Sequence, residues 1–342
     1  MKIGIVTVYD GVSNVGSYLQ AYAMQRALEQ LGHQVFFVEK VTVPKRIWQH
    51  VARLNPKRAF FLRLKSGWNY FCASRAFRFV RPEQIMTKLD ALLFGSDEIW
   101  NMDNQFFKDP LFFGTGYDLP KIAYAASVGA MRQETLDNNQ NIAAGTKGFR
   151  KILVRDDRTQ EMMGKFLNEQ LEMVCDPTFL LPKEQFQMHV RLPKEKYILV
   201  YSYGLDAPMI ANIEKFATEN DLKIVSAHFW HHFCHKVIPC KPLEFGSLMA
   251  GAEYVFTSTF HGAVFAMMNH TRCCILPVRS KVRDIAERMG QSERLISVDT
   301  DYETFKCVIK KEFAEDVFEN ILTTYRSSSW ERLKEALACL EN

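Results

Sequence analysis

Residues 257–265, Thr-Ser-Thr-Phe-His-Gly-Ala-Val-Phe, carry the residue types with the most direct chemical use. They join an apolar run, Tyr254-Val255-Phe256, to a second run, residues 263–268, that is long enough to begin a buried helix. A strand that ends in small hydroxyl residues and reopens as a helix leaves backbone N–H groups and the positive end of the helix dipole at one point, a setting that suits an anion. His261 sits at that point. An imidazole changes charge near neutral pH, so proton transfer beside a phosphate or carboxylate is open to it; the alternative is a helix cap that satisfies its own backbone. Ser258 and Gly262 flank the histidine and bring further N–H groups. Lys281 and Arg283 follow the next strand, either as counter-charges for the anion or as solvated cations of a helix start.

Other reactive types recur just past apolar runs. Residues 89–94 lead into Gly95-Ser96-Asp97-Glu98-Ile99-Trp100-Asn101. A carboxylate near an indole is a pair that can read a sugar, Asp97 accepting hydrogen bonds from hydroxyls and Trp100 offering a flat face to the ring. Ser96 stands beside them, and the same residues would serve equally as a cap and a core side chain. Arg155 closes the run Lys151-Ile152-Leu153-Val154, where a planar guanidinium can grip a phosphate or carboxylate by two hydrogen bonds or pair with Asp156 or Asp157. Asp157 is the expected cap of a helix over residues 158–166. Near the start, residues 9–17 form a polar turn in which Asn14 and Gly16, with Gln20 just beyond, either contact a polar ligand or shape the turn and cap the helix. That loop lacks GxGxxG and the P-loop lysine, so it indicates neither a dinucleotide nor ATP. His228, His231, His232, Cys234 and His235 lie close together, but no second group at ligand spacing completes a metal site, and a loop near the cleft is expected instead of a metal centre.

Strands alternating with helices must position these residues. Residues 2–8 read as a short strand, 19–31 as a helix with Ala21, Met24, Leu28 and Leu31 on one stripe and Gly32 as its stop, and 34–38 as a second strand. This βαβ opening predicts a parallel sheet. Strands are expected over 121–127 and 171–174, then a junction over 182–193. A second alternation follows, with strands over 197–203, 222–227 and 273–277 and helices over 243–250 and 282–289. The expected fold class is α/β, in two Rossmann-like domains of residues 1–185 and 194–316, the second carrying His261. A last helix near 317–340 is expected to cross back onto the first domain.

At 342 residues and 47% hydrophobic content the chain is long enough for two cores. Its eight cysteines show no CxxC spacing and are expected to be reduced thiols of a cytosolic protein. The first apolar run is too short for a signal peptide, and no segment reaches the roughly 18 uncharged apolar residues of a membrane span, so a cytoplasmic location is expected. The net charge of +4 hides an asymmetry. Residues 41–82 hold no Asp or Glu, whereas Lys45, Arg46, Arg53, Lys57, Arg58, Arg63, Lys65, Arg75, Arg78 and Arg81 are interleaved with Trp48, Phe60, Phe61, Trp68, Tyr70 and Phe71. Such a segment can lie peripherally on the anionic inner face of a membrane, grip an anionic ligand, or form surface helices whose aromatics face the core. No nucleic-acid motif accompanies it, so nucleic acid is not an expected partner.

Taken together, Asn14 with Gly16, Gln20-Ala21-Tyr22-Ala23, residues 95–101, Val154-Arg155-Asp156, Cys175-Asp176-Pro177-Thr178 and residues 258–262 resemble the polysaccharide pyruvyl transferases. The resemblance runs from about residue 3 to about residue 297 and rests on the order of the motifs. It implies two Rossmann-like domains facing across a cleft in the GT-B manner, phosphoenolpyruvate as donor, and a sugar of a cell-surface polysaccharide or its lipid-linked precursor as acceptor. No cofactor is implied. By position, His261 matches the family's candidate catalytic histidine and Arg155 its donor-binding arginine. Better characterised members have an arginine two residues before that histidine; here the residue is Thr259, which leaves the donor's charge to cations such as Lys281 or Arg283.

Forming a pyruvate ketal requires protonation of the donor's methylene carbon, attack by one sugar hydroxyl, loss of phosphate and closure by a second hydroxyl. His261 is the expected acid/base, Arg155 with Lys281 or Arg283 the anion clamp, and Ser258 and Gly262 part of the phosphate site. Asn14, Gln20, Ser96, Asp97 and Trp100 are the expected acceptor contacts. Two other classes fit the same chain: a GT-B glycosyltransferase using a nucleotide sugar, and a non-catalytic scaffold of glycan biosynthesis that binds partners or membrane through residues 41–82.

Overall fold

The computed structural model describes residues 1–9, 14–39, 45 and 60–341. In its first half β1 (Lys2–Val6), β2 (Gln34–Val38), β3 (Phe79–Val80), β4 (Ala91–Phe94), β5 (Lys121–Ala126), β6 (Lys151–Val154) and β7 (Glu172–Met173) form one sheet, ordered β3-β2-β1-β4-β5-β6-β7. In its second half β8 (Tyr197–Tyr201), β9 (Lys223–Ala227), β10 (Lys236–Ile238), β11 (Tyr254–Thr257) and β12 (Cys273–Ile275) are ordered β10-β9-β8-β11-β12. Every pairing between these strands is parallel. Strands β4, β8 and β11 are buried along their whole length, which is why they are unbroken apolar runs: a parallel sheet is covered on both faces.

The helices that frame the site are α1 (Val15–Gln30), α2 (Phe60–Ser74), α3 (Asp157–Leu167), α4 (Phe260–Met268), α5 (Ser280–Arg288) and α6 (Glu315–Ala338). Two of them have starts that their capping residues explain. Helix α1 begins at Val15 and not at Leu19, because Asn14 is an extended N-cap whose side chain accepts the Gly16 N–H. Residues 10–13 of the expected turn lie outside the described residues. Helix α3 is capped by Asp156, which accepts the Thr159 N–H at 2.9 Å, and Asp157 is its first residue.

Successive strand residues alternate faces, and the core follows that period. Leu92 and Phe94 enter one apolar cluster outside the first sheet, and Ile198, Val200 and Phe256 another outside the second. Ile3, Ile5 and Leu93, from the opposite face of the first sheet, join Leu199, Tyr201 and Val255 of the second in a cluster shared by both halves. Leu19 and Met24 of α1, Phe265 and Met267 of α4 and Leu337 of α6 complete it. Each large apolar side chain buried in this way contributes on the order of 2 kcal/mol, so a cluster drawn from both sheets holds them together strongly. Helix α6 lies over the end of β7: Tyr325 donates its O–H to the Val174 carbonyl at 2.9 Å, and Trp330 Nε1 donates to Leu180 at 3.1 Å.

Each strand order reverses once, between β1 and β4 in the first sheet and between β8 and β11 in the second. At a reversal the loops leaving the strands diverge to opposite faces and open a crevice at the C-terminal edge of the sheet. Asn14 follows β1, residues 95–98 follow β4, residues 202 and 203 follow β8, and His261 follows β11.

Of the basic segment 41–82, residues 41–44 and 46–59 lie outside the described residues. In α2 the aromatics divide: Tyr70 is fully buried, whereas Phe61 is 83% and Trp68 64% exposed, with exposed Leu64 and Lys65 between them. No helix among the described residues is long and apolar enough to cross a membrane.

Candidate active site

The turn from β11 into α4 is braced by its own hydroxyls. Thr257 donates to the Tyr201 carbonyl at 2.7 Å and accepts the Thr259 N–H at 3.1 Å; Thr259 caps α4 by accepting the Gly262 N–H at 3.0 Å. A Cβ on Gly262 would overlap both threonine hydroxyls, so glycine is needed there. The Gly262 N–H is therefore occupied within the turn, while those of Phe260 and His261 have no partner among the described residues. Ser258 and Ser202 share a hydrogen bond of 2.6 Å between their Oγ atoms.

His261 is buried, and its ring lies so close to Gly16 of α1 that a Cβ at Gly16 would overlap Nδ1 and Cγ. Its Nε2 is enclosed without a hydrogen bond, 3.7 Å from Asp176 Oδ1. Asp176 caps the single turn Pro177–Leu180; its Oδ1 accepts the Thr178 N–H at 3.1 Å and O–H at 2.8 Å, and its Oδ2 accepts from Arg155 at 2.7 Å. The second prong of Arg155 reaches Asp97 Oδ1 at 3.4 Å, and its guanidinium lies 4.9 Å from the centroid of the Phe260 ring. Asp97 also accepts the Ser17 O–H at 2.8 Å and the Glu98 N–H at 2.9 Å. Beyond it, Glu98 Oε1 meets Lys281 Nζ at 2.6 Å and Arg279 at 3.1 Å, two cations that follow β12.

The electrostatics follow from this pairing. Burial alone would raise the Asp176 carboxyl, but His261, Arg155 and Thr178 outweigh it and hold it well below the usual carboxylate range. Burial likewise opposes ionisation of Asp97, yet Arg155, Lys281 and His261 bring it down to about 2. Glu98 is lowered against its burial chiefly by Lys281. All three carboxylates are thus ionised at neutral pH.

A shallow depression opens beside the histidine, lined by Asn14, Asp97, Tyr203, Ser258, Thr259, Phe260, His261, Val278, Arg279, Lys281 and Val282. Five of the candidates from the sequence meet there: Asn14, Asp97, Ser258, His261 and Lys281. Arg155 lies beneath it, both prongs on carboxylates. Four expectations are corrected by burial or direction. Trp100 is fully buried, donates Nε1–H to the Phe112 carbonyl at 3.0 Å and stacks near Phe113, so it presents no face to a sugar. Gln20 is fully buried, donating to the Val8 and Ser17 carbonyls and accepting from the N–H and O–H of Ser96; it ties β1 to β4, and Ser96 is equally enclosed. Arg283 projects into solvent toward Glu287 and does not border the depression. Sequence reasoning gave no role to Asp176, Glu98, Arg279 or Tyr203. Asp176 carried a signal, because Asp-Pro-Thr reads as a helix cap; the ion pair that shares its carboxylate does not show in local sequence.

A model of the polysaccharide pyruvyl transferase family matches residues 14–280. The chain belongs to that family. The match opens at the Asn14 cap and closes just after Arg279, so it contains most of the groups around the depression. Among curated proteins none matches. Solved structures similar to this polysaccharide pyruvyl transferase family member include UDP-GlcNAc 2-epimerase from Methanocaldococcus jannaschii, 13% identical, covering 99% of each chain at a TM-score of 0.58. The UDP-GlcNAc 2-epimerase from Neisseria meningitidis, bound to UDP-GlcNAc, is 11% identical over 100% of both chains, with a TM-score of 0.56. An α,α-trehalose 6-phosphate synthase from Burkholderia multivorans is 7% identical over 99% of this chain and 97% of that one, with a TM-score of 0.53. At such identities the likeness concerns the fold, which is GT-B-like: two parallel α/β sheets whose C-terminal edges meet, as the sequence led us to expect.

Proposed function

We propose that this family member transfers a pyruvyl group from phosphoenolpyruvate to two hydroxyls of one sugar, closing a ketal and releasing phosphate. The observation that carries the reading is the chain Arg155–Asp176–His261 at the meeting of the two switch points, in a protein of this family. In this scheme His261, 3.7 Å from the Asp176 carboxylate, hands a proton to the donor's methylene carbon. The carbon–carbon π pair takes the proton, and the first hydroxyl bonds to the adjacent carbon. The enol-phosphate C–O bond then breaks, its pair leaving with phosphate, and the second hydroxyl closes the ring. Of the two hydroxyl protons, one restores His261 and the other departs with phosphate.

The donor's anionic groups would meet Lys281, Arg279 and the free N–H groups of Phe260 and His261. Thr259, where better characterised members carry an arginine, is a cap in this chain, so these groups take over its charge. Arg155 acts in this scheme as a positioning residue that holds Asp176. The same reading divides the chain into residues 1–185 and 194–316, with α6 returned to the first. The exposed stripe of α2, with Leu64 and Trp68 beside Lys65, supports work at the anionic inner face of a membrane, where a lipid-linked acceptor of a cell-surface polysaccharide would be presented.

Thermal unfolding in the presence of phosphoenolpyruvate, UDP and UDP-GlcNAc tests the donor, since only a ligand of the native state raises the midpoint. Phosphate release in the presence of glycosides then tests the reaction. Stabilisation by phosphoenolpyruvate and not by UDP is expected; the reverse would replace this reading with a nucleotide-sugar glycosyltransferase.

A further inference from the structure

With Trp100 enclosed, the sugar needs another flat surface. Two aromatic side chains border the depression. Phe260 is 7% exposed and packs against the Arg155 guanidinium, whereas Tyr203 is 52% exposed. Tyr203 stands one residue past Ser202 at the end of β8, on the second switch point. Its ring rests on Phe229 at 5.0 Å between centroids, and Phe229 rests on Tyr201 at 4.9 Å. His231 Nε2 lies 3.1 Å from the Ser202 carbonyl and ties the same loop down.

The histidine-rich stretch 228–235 thereby acquires a structural reason. Three of its four histidines go to separate partners: His228 to Cys240 Sγ at 3.2 Å, His231 to Ser202, and His235 Nδ1 to the Ile224 N–H at 3.0 Å. What the loop brings to the cleft is Phe229, a backing that fixes the Tyr203 ring.

We propose that Tyr203 is the platform of the acceptor subsite, on which a pyranose lies with its C–H face against the phenol ring and its hydroxyls turned to Asn14 and Asp97. This deepens the pyruvyl transfer reading and rests on it. An aromatic face is electron-rich and attracts the weakly positive C–H groups of a sugar, and a ring already braced from behind loses little freedom on binding. The polar complement is present. Asn14 uses Oδ1 for the Gly16 N–H at 3.1 Å, leaving its amide N–H groups to donate, and the ionised Asp97 accepts.

The test uses the full chain, with methyl glycosides of glucose, galactose and mannose and with uridine as probes, each titrated by saturation-transfer NMR. Phosphoenolpyruvate is titrated separately. At least one glycoside is expected to bind the wild type, to weaken about fivefold to tenfold in Tyr203→Ala, and to change by no more than about twofold in Tyr203→Phe. Donor affinity is expected to stay level in both variants. Because Tyr203 is half exposed, Tyr203→Ala should melt as the wild type does, and a melt confirms it. Glycoside binding equal in Tyr203→Ala and wild type, or absent from the wild type, overturns the proposal. So does a uridine affinity that falls as far as the glycoside's, which would make the platform a nucleobase site. Failure of phosphoenolpyruvate to bind would strike the donor reading alone, since the glycoside titrations need no donor.

Discussion

Gly16→Ala offers the sharpest separation of catalysis from folding. Glycine in the first turn of a helix is ordinarily a weakness, and alanine there should stabilise α1 by about 0.5–1 kcal/mol. Here the added Cβ would overlap Nδ1 and Cγ of His261 and come within 2.8 Å of its Cβ, where 3.4 Å is the near limit of ordinary contact. The histidine must therefore withdraw by at least ~0.6 Å at Cβ, and further at the ring. Such overpacking costs about 1–3 kcal/mol, so the net loss of stability is about 0–2.5 kcal/mol and the protein still folds. Its effect on rate should be larger, because a reacting group displaced by about 1 Å costs about 10²-fold. Phosphate release measured beside urea unfolding would give both figures. Gly204→Ala is the control: a Cβ there meets nothing within 4 Å, on an exposed residue next to Tyr203. Wild-type turnover in a folded Gly16→Ala protein would refute the idea that the α1 contact positions His261.

His261→Ala should lower turnover by about 10² to 10⁴ with the fold intact, and unchanged turnover would remove the histidine from the chemistry. Arg155→Lys keeps the charge but loses the fork; stability should fall by about 2–4 kcal/mol and turnover with it, while calorimetry finds phosphoenolpyruvate affinity within about threefold. A large loss of donor affinity would instead return Arg155 to the donor clamp. Asp97 is held at about 2 from an ordinary 3.8, so its contribution is complete above that ordinary value and is lost as pH falls toward 2. The difference corresponds to about 2 kcal/mol, and urea midpoints at about pH 6 and pH 3 should fall less in Asp97→Asn than in wild type. An equal fall in both would assign the acid sensitivity elsewhere. Sedimentation with anionic vesicles at low and high salt examines α2: Lys65→Gln with Trp68→Ala should reduce a salt-sensitive association, each engaged cation being worth about 1 kcal/mol. Negligible binding by both proteins would move the acceptor into solution.

Much of the scaffold is legible in the sequence because parallel strands are marked by unbroken apolar runs such as Ala91-Leu92-Leu93-Phe94, and a βαβ opening leaves few topologies. His261 is legible for a related reason: a strand-to-helix turn places its residue at the sheet edge whatever the rest of the chain does. Side-chain direction is not legible. Trp100 and Gln20 sit in the right motifs, yet one turns into the core beside Phe113 and the other binds the ends of β1 and β4. Lys281 and Arg283 are equivalent cations on paper, but two residues along a helix are on different faces, and only Lys281 reaches Glu98. The role of Asp176 is not legible because its partners, Arg155 and His261, are far away in the chain.

The pairing of His261 with Asp176 spans the junction at residues 182–193, since the histidine follows β11 and the carboxylate follows β7. Neither side alone holds both His261 and the carboxylate that faces it. On the proposed mechanism, a chain cleaved at that junction would yield two inert fragments, each presenting apolar surface from the shared cluster, and their reunion would restore the pair. Turnover regained on mixing would then count docked fragments, so this protein is a natural candidate for a complementation reporter in which chemistry measures assembly.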